Sequence, residues 1–188
     1  IPKVLKDAVL AAEDSRFYEH GGVDFKGVLR AALANLRAAR SQGGSTITMQ
    51  VAKNFYLPTE KTYTRKIYEL LLTMKIERLL TKEQILEVYM NQIFLGQRAY
   101  GFGAAAEIYF GKPLKEVSIA EAAMLAGLPK APSAYNPIVN PKRATVRQQY
   151  IIERMVENGF ISANEGQVAK AQVLRYRTVS DVAPHAEY

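Results

Sequence analysis

Apolar residues recur along this chain at steps of three and four and nowhere alternate with period two for long, so helices are the expected elements. Val4, Leu5, Ala8, Val9 and Ala12 form the first stripe, behind Pro2, where a first helical turn tolerates proline. Leu29, Ala32, Leu33 and Leu36 form the second, with Asp24 as cap. Gly43 and Gly44 then break the chain, Ser45 caps a third helix reaching about Tyr56, and Pro58 ends it. A fourth helix carries Ile67, Leu70, Leu71 and Met74 on to Leu80. Thr81 with Gln84 makes a capping box for a fifth, whose stripe is Ile85, Leu86, Tyr89 and Met90.

Gly96, Gly101 and Gly103 punctuate the next stretch, which has room for one short hairpin that helical periodicity does not register. Ser118 with Glu121 is a second capping box, ahead of a small-residue helix over 120–128. Pro129, Pro132, Pro137 and Pro141 make an extended or turning segment. A helix from about Arg143 to Asn158 is closed by Gly159, and Ser162 with Glu165 caps a last one. There is no internal repeat and no low-complexity tract, and the fold class is all-α.

Composition narrows the chemistry. With 188 residues, 48% hydrophobic and 23% charged, the chain can bury the core of one domain, which excludes long disorder as its main state. It has no cysteine, so disulfides, thiolate metal sites and a cysteine nucleophile are excluded. Two histidines, His20 and His185, are too few for a multi-histidine metal cage. Lys and Arg total 25 against 18 Asp and Glu, and the net charge of +7 points to a polyanion, an anionic membrane surface or a phosphorylated substrate. No run is apolar enough to span a bilayer; the best, 67–80, is interrupted by Glu69, Lys75, Glu77 and Arg78. The first residues already read as an amphipathic helix and not as a signal peptide, and the chain reads as a piece of a longer protein.

Three places carry candidate chemistry. Glu13 and Asp14 end the first helix, where the helix dipole disfavours negative charge; partial burial raises a carboxyl pKa further, which suits a general acid or base. The same pair also reads as a solvated helix end with Asp14 capping the next turn. His20 follows among aromatics and reads as a structural residue bonded to a nearby carboxylate or carbonyl. Next, Gly43 and Gly44 precede a helix N-terminus, with Thr46, Gln50 and Lys53 on one face, an arrangement suited to phosphate or diphosphate, although a simple loop and cap would look the same. The Walker pattern is absent. Finally, Lys66 and Glu69 lie three apart on one face beside Arg65. Taken alone they read as a surface pair worth little. Yet 53–82 holds seven basic residues against three acidic ones, more than half of the net charge in under a sixth of the chain. Glu13 and Glu69 then occupy opposite electrostatic surroundings, as when acid/base and charge-stabilising roles are divided.

Five blocks in order resemble the peptidoglycan glycosyltransferases of family 51, the glycan-polymerising domain of class A penicillin-binding proteins. They run over 13–22 (Glu13, Asp14, Ser15, Arg16, Phe17 to Gly22), 43–54 (Gly43, Gly44, Ser45, Thr46 to Asn54) and 65–69 (Arg65, Lys66, Ile67, Tyr68, Glu69). The last two are 85–96 (Ile85 to Tyr89, Met90, Asn91 and Gly96) and 118–137 (Ser118, Glu121, Leu128, Pro129, Lys130 to Pro137). The resemblance covers about 2–165. It implies a lysozyme-like helical domain with a small membrane-associated jaw lobe, a domain boundary at 175, and 176–188 as linker toward a transpeptidase domain.

It further implies lipid II and the growing glycan strand as partners, with Glu13 as general base and Glu69 and Lys66 as catalytic companions. Asp14, Ser45, Thr46, Gln50, Lys53, Asn54, Lys61, Arg65 and Arg78 would line the substrate. It implies no dedicated cofactor, with a divalent cation (Mg or Mn) assisting at the diphosphate in some members. The implied setting is the outer, periplasmic face of the bacterial cytoplasmic membrane, with no nucleic acid. Met49 stands where many members have a second glutamine, Lys61 where an arginine is common, and the loop 37–42 is short for the family. Two rivals remain: a lysozyme-like glycan-cleaving enzyme, which has no need of the Lys53, Arg65 and Lys66 cluster, and a non-catalytic basic membrane-binding module, which has no use for Glu13.

Overall fold

The structure is a computed structural model that describes residues 1–37, 44–57 and 62–177. Among these residues it contains nine α-helices, one turn of 3-10 helix and no strand longer than a single bridge. The helices are α1 (Lys3–Glu13), α2 (Phe25–Arg37), α3 (Ile47–Tyr56), α4 (Tyr63–Leu79), α5 (Lys82–Gln92), α6 (Phe102–Phe110), α7 (Ile119–Ala126), α8 (Pro141–Glu157) and α9 (Ala163–Ala171). The chain divides into two compact units, Leu10–Met90 and a second made of Ile1–Val9 with Asn91–Tyr188.

In the unit Leu10–Met90, α3 packs on α4 and buries Ile47, Thr48, Met49, Val51 and Ala52. The cap of α3 is Thr46 and not Ser45: Thr46 is extended and its hydroxyl accepts from the Met49 N–H, while Ser45 is exposed one residue upstream. Thr62 caps α4 in the same way through Arg65 N. The Thr81 and Gln84 box forms reciprocally, with Gln84 Oε1 accepting from Thr81 N and Thr81 Oγ1 from Gln84 N.

The fourth stripe behaves unlike a core face. α4 buries Glu69, Thr73 and Ile76, while Ile67, Leu71 and Met74 are more than half exposed. On α2, Phe25, Leu29 and Leu33 are likewise exposed. Two polar side chains of α4 are thus buried while large apolar side chains of both helices face outward, against the arrangement water favours.

In the other unit, α7 buries seven side chains, from Ala120 to Ala126, and packs on α8 and α9. Gln148 of α8 donates to the Ala120 carbonyl, tying the two helices together. α8 opens at Pro141, two residues before its expected start, with proline in the first turn where a missing N–H costs nothing. α6 has no counterpart in the sequence reading, because its residues are apolar on nearly every side and leave no stripe to detect. It follows a hairpin bridged at Phe94 and Tyr100, whose turn places Gly96, Gln97 and Arg98 successively in the left-handed region. Tyr109 of α6 donates its hydroxyl to the Leu95 carbonyl. Past α9 the chain returns to α6: Tyr176 stacks on Phe110 at 5.4 Å, and Arg177 N donates to the Tyr109 carbonyl.

Candidate active site

Glu13 closes α1, where four carbonyls have no partner within the helix. The side chain is half-buried, and Oε2 accepts a 3.3 Å hydrogen bond from Gln50 Nε2. Gln50 lies on α3, and its Oε1 accepts from the Tyr89 hydroxyl at 3.1 Å. Tyr89, on α5, is fully buried. The sequence reading placed Tyr89 in the core stripe of its helix, and its polar tip was the signal of a second task.

Asp14 turns the other way. Its side chain is 2% exposed, and both oxygens lie 2.8 Å from His20 Nε2 while Oδ2 also accepts from the Ile47 N–H. One carboxylate thus anchors the histidine and a free N–H of the α3 N-terminus, where negative charge is favoured. His20 Nδ1 accepts from the Gly22 N–H, so the ring proton sits on Nε2 and is donated to Asp14. Thr46 completes the clamp by donating its hydroxyl to the Gly22 carbonyl at 2.6 Å. Gly22 has φ +104, and a Cβ there would lie 2.9 Å from Thr73 and Glu77 of α4, so only glycine fits.

Behind this clamp, Glu77 Oε1 accepts from Thr48 Oγ1 and Lys82 Nζ, both at 2.7 Å, and the Lys82 ammonium lies 4.5 Å from the Phe17 ring centre. None of Gly22, Phe17, Glu77 and Lys82 was singled out from sequence for this bracing role.

The basic residues distribute along α3 and α4. Lys66 Nζ donates to Glu69 Oε1 at 3.1 Å; the lysine side chain is 57% exposed and the glutamate 6%. The pair is therefore anchored at its acidic end and presents its ammonium outward. Arg65 is half-buried beside it, and Lys53, Asn54 and Arg78 are exposed on the last turns of their helices. Ser45 is exposed, Thr46 buried, and Lys61 falls outside the described residues. No three His, Asp or Glu side chains converge among the described residues in a way that could cage a metal ion. The unit thus contains a held carboxylate, a hydrogen-bonded helix N-terminus and an outward-facing ammonium.

The chain matches the family described as Transglycosylase over residues 1–156. It is 60% identical over 177 residues to a protein of Cupriavidus necator named as a transglycosylase, covering 94% of this chain and 77% of that one. It is 58% identical to penicillin-binding protein 1A of Neisseria flavescens over the whole chain, and 60% identical to that of Neisseria gonorrhoeae over 93% of it. The chain spans only 24% and 22% of the length of these two proteins. The crystal structure of penicillin-binding protein 1A from Haemophilus influenzae shares the fold with a TM-score of 0.50 and 36% identity, over 70% of this chain and 16% of that one. The chain belongs to the transglycosylase family, glycosyltransferase family 51, and is similar to the corresponding part of penicillin-binding protein 1A.

Proposed function

We propose that this domain polymerises lipid II into β-1,4-linked glycan, with Glu13 as general base. Glu13 takes the proton from the 4-hydroxyl of the acceptor's N-acetylglucosamine. The freed oxygen attacks the anomeric carbon of the donor's N-acetylmuramic acid and inverts it. The bond to the lipid diphosphate breaks, and undecaprenyl diphosphate leaves with the electron pair. The observation that carries this reading is the presence in one compact unit of a half-buried helix-end carboxylate, held by Gln50, and an outward-facing Lys66 whose own carboxylate partner is buried. The first meets a hydroxyl's need for a base. The second supplies fixed positive charge where diphosphate charge develops.

Arg65 shares that charge, and Lys53, Ser45, Asn54 and Gln50 line the donor side, together with Arg78. Asp14 and Thr46 spend their polar atoms inside the protein, so they serve by fixing the N-terminus of α3. Glu69 serves by holding Lys66. A divalent cation, Mg or Mn, would act here as a companion of the diphosphate.

The outward apolar residues of α2 and α4 suit a jaw lobe resting on the bilayer that carries the substrate's lipid. No helix among the described residues is long and apolar enough to cross a membrane. We place the domain at the outer face of the bacterial inner membrane, linked to a transpeptidase domain in its parent protein.

The deciding experiment incubates the chain with labelled lipid II and resolves products by size. Polymer from the wild type that disappears with Glu13→Gln supports the proposal. Short sugars released from preformed glycan would favour a cleaving enzyme, and unchanged lipid II with intact membrane binding would remove the enzymatic claim.

A further inference from the structure

Gln50 has a single amide and two neighbours with opposite demands. An ionised carboxylate only accepts hydrogen bonds, so Glu13 requires the amide's nitrogen. The amide oxygen must then face away, and the Tyr89 hydroxyl meets it there as donor. Without that hydroxyl the amide can turn over at little steric cost, since its oxygen and nitrogen are nearly the same size. The turned amide would set oxygen lone pairs against the carboxylate and push Glu13 out of place. Tyr89 is itself immobile, because its ring is fully buried on α5.

We propose that Tyr89 is a positioning residue for proton transfer: its hydroxyl fixes the Gln50 amide, and the amide fixes Glu13. This rests on the reading of Glu13 as general base. Tyr89 reaches Glu13 through the Gln50 amide, so its loss reduces turnover and leaves substrate affinity in place.

The test uses the intact chain, labelled lipid II, and four variants: Tyr89→Phe, Gln50→Met, their double, and Glu13→Gln, with thermal melting followed for each. Tyr89→Phe removes one oxygen and is expected to lower kcat about ten- to a hundredfold with KM within about twofold. Gln50→Met is expected to lower kcat at least as far, and adding Tyr89→Phe to it should cost nothing more, because the amide to be oriented is gone. Wild-type kcat in Tyr89→Phe would overturn the proposal, as would a loss that multiplies unchanged onto Gln50→Met, or an effect confined to KM. Should Tyr89→Phe melt too low to assay, Gln50→Glu decides: it still accepts from Tyr89 but offers Glu13 no N–H, so normal turnover there would sink the idea. Glu13→Gln separates the two claims. Polymerisation by that variant removes the general-base reading, whereas an inactive Glu13→Gln beside a fully active Tyr89→Phe removes only the role of Tyr89.

Discussion

His20 donates its ring proton to Asp14, and both carboxylate oxygens lie 2.8 Å from Nε2. Because the opposite ring nitrogen accepts from Gly22, the imidazole has one workable orientation and one tautomer. Asp14→Asn would bring an amide N–H against the histidine N–H, or else surrender the Ile47 N–H. A buried mismatch of this kind costs roughly 1–3 kcal/mol. Denaturant titration should show that loss, and a midpoint equal to wild type would mean the clamp is not holding α3.

Lys66→Ala should separate turnover from folding. The lysine is 57% exposed, so truncating it opens no cavity, and the stability cost comes from the buried Glu69 carboxylate losing this bond. Charge aimed at a developing anion is worth roughly a hundred- to a thousandfold in rate. The expected result is a fall in polymerisation far larger than the fall in the folded fraction that thermal melting reads at the assay temperature. Near-normal polymer yield would refute the assignment.

The alkaline limb of stability should be set by two tyrosines, Tyr109, which is fully buried, and Tyr176, which is half-buried. Burial pushes the Tyr109 hydroxyl up to about 12, and burial aided by the nearby Glu121 charge pushes Tyr176 up to about 12. Both are raised above the ordinary value of 10.0, so the folded chain binds these protons more tightly than the unfolded one. Their contribution is whole below pH 10 and is lost as the pH rises toward 12. Melting temperatures measured across that window should fall, and the fall should be shallower in Tyr176→Phe. An identical slope in that variant would contradict this assignment.

Exposed apolar residues on α2 and α4 should mediate binding to lipid. Replacing Phe25, Leu29 and Leu33 together by serine removes side chains that are more than half exposed, so folding should be little changed. Co-sedimentation with anionic phospholipid vesicles should drop severalfold. Retention of full binding would assign the membrane contact to other residues.

What could be read ahead of the structure followed the physics of each signal. Capping boxes at Ser118 and Ser162 are local, and both form. The Thr81 and Gln84 box of α5 is equally local and equally legible. α6 was invisible because Ala104, Ala105 and Ala106 sit among aromatics with no polar face. The α4 stripe was misread for the opposite reason: periodicity reports that a helix has two faces, and cannot say which one meets protein. In the site, Glu13 and Lys66 stood out by charge and position. Tyr89 did not, since a tyrosine in a core stripe declares its ring and conceals what its hydroxyl touches.

The carbonyls at the end of α6 are met by Arg177, which reaches Glu107 from 70 residues downstream. This has a practical meaning for anyone cutting the gene. The match to the family model ends at residue 156, before α9 and before the return of the chain to Phe110. A fragment trimmed to that point would keep every proposed catalytic side chain and still emerge with a barer Phe110 ring and a Tyr109 carbonyl stripped of its Arg177 partner, a product prone to clump before it could be assayed.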